Sequence, residues 1–287
     1  MSHLEPVTIS NIPEISAIYY ALLQSGYPFY MMEREKAHID SIHSFILPQD
    51  IPLFFSAIKQ NTCEVYPYWP RAFILETASF YLLPDHSDFQ NFHSLYKKVM
   101  SFGNISHCER DHKLWTWLEG FPTALSKILS SDSFSQYLKW ENSWIAQQNK
   151  QYSSELQAIN SCLNMCVSQY NSPVHSIQIV VNPIKCVYSS DYHLNENRFV
   201  FCSGAFRVDS VIHEFLHHVI HPAIEHVRDA ILAHRRSYEN IDDSYYLSGD
   251  DFGQLNAFEE YAVRELTTAI LGGNAPRTLI SFLDTLI

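Results

Sequence analysis

The chain of 287 residues is poor in glycine and in positive charge. Only 8 glycines are present, too few for a glycine-rich phosphate cradle or a turn-dense β-barrel. Nineteen Lys and Arg stand against 31 Asp and Glu, a formal net charge of −12. This balance argues against a general nucleic-acid binder, whose phosphate contacts need clustered basic side chains. Arg235-Arg236, the one basic cluster of the C-terminal half, is too short to change that and reads as a solvated helix face. Long apolar runs are also lacking: stretches such as Ile177 to Val181 fall well short of the roughly 20 residues that span a bilayer. The first residues, Met1 to Pro6, have no basic start leading into an apolar run, so they do not read as a secretory signal. The expectation is a protein without membrane association, in the cytoplasm. The six cysteines show no CxxC spacing. In a chain this large they read as free thiols of a reducing compartment, not as a disulfide framework.

What is present suits a folded core. Hydrophobic residues make up 46% and aromatics 14%, mostly Tyr and Phe, far from a disordered composition. The N-terminal part, residues 1–170, reads as mainly helical. Ile12 to Leu23 opens after Asn11 with Pro13 in its first turn, a sound helix start. Phe73 to Leu83, Phe89 to Met100, Trp115 to Leu129, Phe134 to Gln148 and Leu156 to Gln169 are further helical candidates.

The character changes near residue 171. Ser176 to Val181 is β-branched and closed by Asn182-Pro183, and Arg198 to Cys202 is a second strand candidate stopped by Ser203-Gly204. The polar stretch Ser189 to Asn197 reads as the connection between them. A long helix follows from about Asp209, its expected N-cap, to Pro222, its expected end. Residues 171–287 thus run strand, strand, helix, polar loop, helix. The fold class expected is α+β, predominantly helical, with a small sheet packed on the long helix.

That helix carries His213-Glu214-Phe215-Leu216-His217, an HExxH pattern. Two histidines four apart lie on one helix face with Cβ atoms roughly 5–6 Å apart. Both imidazoles can then reach a single zinc ion at about 2.0–2.1 Å. Glu214, between them, is placed to take a proton from a water that zinc activates. The helical phase agrees. Val211, Ile212, Phe215, Leu216, Val219 and Ile220 share the opposite, core-facing side. The plainer alternative is an amphipathic helix with a His-rich solvated face, in a chain that has 15 histidines.

A third ligand needs another source. The metzincin pattern HExxHxxGxxH fails, because Ile220 and Ala223 stand at its Gly and third His. Leu255 to Leu266 reads as a later helix carrying Glu259 and Glu260, with Leu255, Phe258, Ala262, Leu266 and Ala269 on one face. Helix phase brings Glu259 nearer that apolar stripe. Glu260 turns toward the other side, where a ligand facing a cleft belongs. His221 and His226 are the alternatives.

HEFLH followed by a distant helical glutamate resembles the gluzincins, the thermolysin-type metallopeptidases. Val7 to Ile15, His213 to Pro222 and Glu260-Tyr-Ala-Val-Arg264 are more closely similar to a bacterial family of gluzincin-like proteins of uncharacterised activity. The resemblance implies His213 and His217 as zinc ligands, Glu214 as catalytic base and Glu260 as third ligand. It implies a zinc-dependent hydrolase acting on a peptide or protein substrate. The rival reading is a catalytically silent zinc-binding or scaffold protein that kept the helix. Two departures stand out. Arg264 occupies the position where thermolysin has an aspartate that orients a histidine, and the gap from His217 to the glutamate is longer. The segment from Ser237 to Gly253 fills that gap and reads as a polar lid over the cleft. Arg198 to Cys202 is the expected substrate-holding edge strand, and Tyr245, Tyr246, His226 and His234 are the expected oxyanion stabilisers.

Overall fold

The computed structural model describes residues 4–24, 36–51, 121–195, 197–246 and 249–287. The helices expected at Phe73 to Leu83 and Phe89 to Met100 lie outside these, as do residues 115–120, Cys63 and Cys108. The described elements run β1 (Ile9–Ser10), α1 (Pro13–Gln24), α2 (Lys36–His43), α3 (Phe121–Leu129), α4 (Asp132–Gln151), α5 (Ser153–Gln169) and β2 (Ser176–Val181). They continue with β3 (Ser190–Asn195), β4 (Arg198–Ser203), α6 (Val208–His226), α7 (Arg228–Ala233), a 3-10 turn (Asp243–Tyr246), α8 (Asp251–Leu271) and α9 (Leu279–Leu286). The fold is α+β and predominantly helical, with one four-stranded mixed sheet.

The sheet order is β1-β2-β4-β3, with β1–β2 and β2–β4 parallel and β3–β4 antiparallel. The sheet departs from the sequence expectation at two points. The polar stretch Ser189 to Asn197 is not a plain connection, because it contains strand β3. And Arg198 to Cys202 is not an edge: β4 lies between β2 and β3, which leaves β3 at the border. The reason is that β3 has two covered faces of different chemistry. Tyr192 and Leu194 pack on the core, and Tyr192 stacks on Phe199, its centroid 5.4 Å away. On the alternate residues, Asp191 and His193 are buried, and Asp191 accepts from Lys185 Nζ at 2.6 Å. Buried polar groups with partners hide the period-2 signal that a half-apolar strand would show.

A hydrophobic core runs from Leu4, Val7 and Ile9 through α4 and α5 to α6, α8 and Leu283 of α9. On α6 it takes Val211, Ile212, Phe215, Leu216, Val219, Ile220 and Ile224, the expected stripe extended by one turn. Each such side chain removed from water contributes roughly 1.5–3 kcal/mol, which fixes the rotation of the helix and hence the direction of its histidines. The helix ends differ from expectation. Its first turn is not capped by Asp209. Arg207 holds the N-cap position and pairs with Asp209 at 2.7 Å. Pro222 does not end α6 but lies inside it. The missing N–H costs about 3 kcal/mol, and the turn beyond offsets it by burying Ile224 and Val227.

A buried polar pin ties α4 to α1 and to the end of β2. Glu141 is fully buried and accepts from Ser16 Oγ and Tyr137 O–H at 3.0 Å, Asn11 Nδ2 at 3.0 Å and Asn182 Nδ2 at 3.3 Å. Burial outweighs these bonds and pushes its pKa up to about 7. A carboxyl raised in the folded state contributes most at low pH, and that contribution is lost between about pH 4.5 and pH 7. Urea unfolding should therefore show Glu141→Gln gaining on wild type by up to about 3 kcal/mol between pH 5 and pH 8. An equal difference at both pH values would contradict this.

Gly204 ends β4 where the chain crosses the 182–189 loop. A Cβ there would lie 2.2 Å from the Lys185 carbonyl oxygen and 2.4 Å from that of Cys186. Both are backbone atoms, so Gly204→Ala should destabilise the protein by at least about 2–3 kcal/mol. Chemical denaturation checks it, and a variant as stable as wild type would show that the loop gives way freely.

Candidate metal centre

Helices α6 and α8 pack against each other, and the cluster forms across their contact. His213 and His217 sit on α6, 22% and 18% exposed at their side chains, with Glu214 half-buried between them. Glu260 reaches them from α8 with its side chain only 5% exposed. The His213 and His217 Nε2 atoms are 3.2 Å apart. Glu260 Oε2 lies 3.6 Å from the first and 3.3 Å from the second. These three residues are the one group of His, Cys, Asp or Glu among the described residues with ligand atoms this close together, all within 4.8 Å. The expectation that Glu260 turns away from the packing face needs correction. It is buried, and what singles it out is its aim at both imidazoles.

The donor set suits a small tetrahedral cation. Ligands at about 2.0–2.1 Å from a tetrahedral centre are separated by about 3.3–3.4 Å, and the three edges here bracket that value. Two imidazole nitrogens facing each other beside a carboxylate oxygen need a proton or a cation between them. His217 shows the strain of that arrangement. Burial works against its charge, but hydrogen bonds to Glu259 and Glu260 and the nearby Glu214 prevail, raising its pKa to about 10. Burial likewise opposes ionisation of Glu260, yet its bonds with His213 and His217 hold its carboxyl well below the usual range.

A second layer fixes the first. His217 Nδ1–H donates to Glu259 Oε1 at 3.0 Å, so its Nε2 is aimed at the cluster. The other Glu259 oxygen accepts from His221 Nδ1–H at 2.8 Å. Arg264 Nε donates to Glu260 Oε1 at 2.7 Å, which leaves Oε2 for the histidines. A carboxylate on a ligating imidazole orients the ring and raises its basicity. Glu259 orients the His217 ring in this manner, while the position one turn after Glu260 holds Arg264 instead of an acid.

The cluster opens into a cleft of about 510 Å³. Its walls are Asp209, Ser210, His213 and Glu214 of α6, Glu260, Arg264, Thr267, Thr268 and Leu271 of α8, Ser190 at the start of β3 and Tyr188 just before it. The α8 residues repeat at helical spacing from Glu260, a signal present in the sequence. Tyr188 and Ser190 were concealed because β3 read as a connection. None of the expected oxyanion stabilisers lines this cleft. Tyr246 O–H accepts from the Tyr238 amide, His234 Nδ1–H donates to the Ala230 carbonyl, and Tyr245 packs on the core. His226 is exposed at the end of α6. The lid expectation also needs correction. No described residue from 237 to 253 lines the cleft, and Tyr238 and Ile241 are buried in the core.

No family model, curated protein or solved structure matches this chain. No described helix is long and apolar enough to cross a membrane.

The Glu259 contact can be tested on the metal-free protein. His217 should stay an imidazolium up to about pH 10. Removing the charged acceptor in Glu259→Gln should lower its pKa by about 1–2 units, the equivalent of one hydrogen bond to a charged group. Imidazole NMR titration measures this, and an unshifted His217 would rule out the contact.

Proposed function

We propose that this protein is a zinc-dependent hydrolase that cleaves peptide bonds, with the ion held by His213, His217 and Glu260 and Glu214 as the general base. The observation carrying this reading is the triangle of two Nε2 atoms and one carboxylate oxygen with edges of 3.2, 3.3 and 3.6 Å. Three protein ligands leave one position of a tetrahedral ion free, the arrangement of catalytic rather than structural zinc. When bound, the ion supplies Lewis acidity and makes a water acidic near neutral pH.

The chain's own residues supply the remainder. Glu214 lies beside the first histidine and lines the cleft, placed to take the proton of the attacking water and return it to the leaving amine. Glu259 and Arg264 hold His217 and Glu260 in their ligating orientations. The border strand β3, whose first residue Ser190 lines the cleft, offers an edge along which an extended peptide can lie by β-augmentation. The gluzincin resemblance supports the same assignment of roles. A catalytically silent zinc protein would share the triangle. Glu214 in the cleft wall, which such a protein does not need, favours the hydrolase.

Purified wild type should retain one zinc per chain after dialysis, and His217→Ala should lose it. Glu214→Gln should keep its zinc and lose at least about a hundredfold in turnover of a peptide library. Zinc retained equally by His217→Ala would remove the metal assignment. Hydrolysis persisting in Glu214→Gln would remove the base.

A further inference from the structure

The α8 wall of the cleft carries one Lys or Arg among its described residues, Arg264. It lies one helical turn from Glu260, about 6 Å along the axis. The cleft continues past it to Thr267, Thr268 and Leu271. The guanidinium is 40% exposed, yet its position is fixed at two points. Nε donates to Glu260 Oε1 and Nη1 to the Asn240 carbonyl. Nη2 makes no hydrogen bond to any described residue.

An arginine whose only task is to hold Glu260 could be wholly covered. This one is half open, braced, and on the wall of the cavity that contains Glu214. Its partner Glu260 also faces the two histidines through Oε2. A dication shared by those three would draw on the same carboxylate charge, leaving the guanidinium less neutralised than in an isolated pair. Of the two other acids of the wall, Asp209 is already paired with Arg207, and Glu214 stands on α6 beside His213. The cleft therefore has one preorganised cationic donor, within one residue's reach of where a scissile bond would lie. Bracing matters because little rotamer freedom is then lost on binding.

Resting on the peptidase reading, we infer that Arg264 binds a carboxylate of the substrate, so that the preferred peptides carry a negative charge on the α8 side of the cleaved bond. That carboxylate is either a free C-terminus or an acidic side chain, and the guanidinium takes either by the same charge-assisted hydrogen bonds.

The test uses zinc-loaded wild type, Arg264→Gln and Arg264→Lys, each with its zinc content measured. Three versions of one degenerate peptide library are compared: free carboxyl, C-terminal amide, and an amide set in which every Glu is replaced by Gln. Wild type should favour the charged member of one pair by roughly tenfold to a hundredfold in kcat/KM, the equivalent of a hydrogen bond to a charged group. Preference for free carboxyl over amide assigns the terminus, and preference for Glu over Gln assigns the side chain. Arg264→Gln should abolish the preference and Arg264→Lys keep part of it. Because Arg264 also holds Glu260, the readout is the ratio within each protein, which a shared loss of zinc or rate does not move. Cleavage without preference in either pair overturns the inference alone, as does a preference that survives in Arg264→Gln. Zinc-loaded wild type that cleaves no peptide overturns the peptidase reading, and this inference with it.

Discussion

Everything at the centre of this protein depends on one buried carboxylate facing two imidazole nitrogens. Glu260 comes from α8 and the histidines from α6, so the arrangement exists only while those two helices pack in one register. An ionised carboxylate that has left water is unfavourable without partners. Here it has His213 and His217 on one oxygen and Arg264 on the other. The apolar stripe of α6 and the Leu255, Phe258, Ala262 and Leu266 face of α8 supply the force that keeps it there. Core packing thus sets the rotation of both helices, and rotation sets the site.

The surrounding shell is asymmetric. His217 is oriented by Glu259, which is in turn held by His221. Among the described residues, no comparable carboxylate sits on His213. Its other side opens to the cleft, where Glu214, Ser210 and Tyr188 stand. One imidazole is therefore anchored to the protein interior while the other borders the solvent-filled space in which a substrate would lie. Arg264 joins the two regions, since it braces Glu260 and also lines the cavity.

The sequence made some of this legible and concealed the rest for physical reasons. The α6 stripe and the histidine spacing were plain because a helix repeats its faces every 3.6 residues. Phase turned Glu260 away from the packing face, whereas it is buried and aimed at both imidazoles, because burial depends on which helix lies opposite. Strand β3 was hidden because Asp191 and His193 are buried polar residues, Asp191 paired with Lys185. With β3 unseen, the sheet border was misplaced onto β4, and Tyr188 and Ser190 were absent from the site. Pro222 read as a helix end because local propensity ignores the core contacts of Ile224 and Val227. The segment from 237 to 253 looked like a lid for its acids, but its buried side chains, Tyr238 and Ile241, attach it to the core.

The central claim is that the His213, His217 and Glu260 atoms share one zinc ion. Anomalous scattering at the zinc edge from crystals of the purified protein tests it most directly. A single peak is expected about 2.0–2.1 Å from both Nε2 atoms and from Glu260 Oε2, with Glu259 not coordinating. A protein that takes up zinc yet shows no peak among these three residues would contradict it.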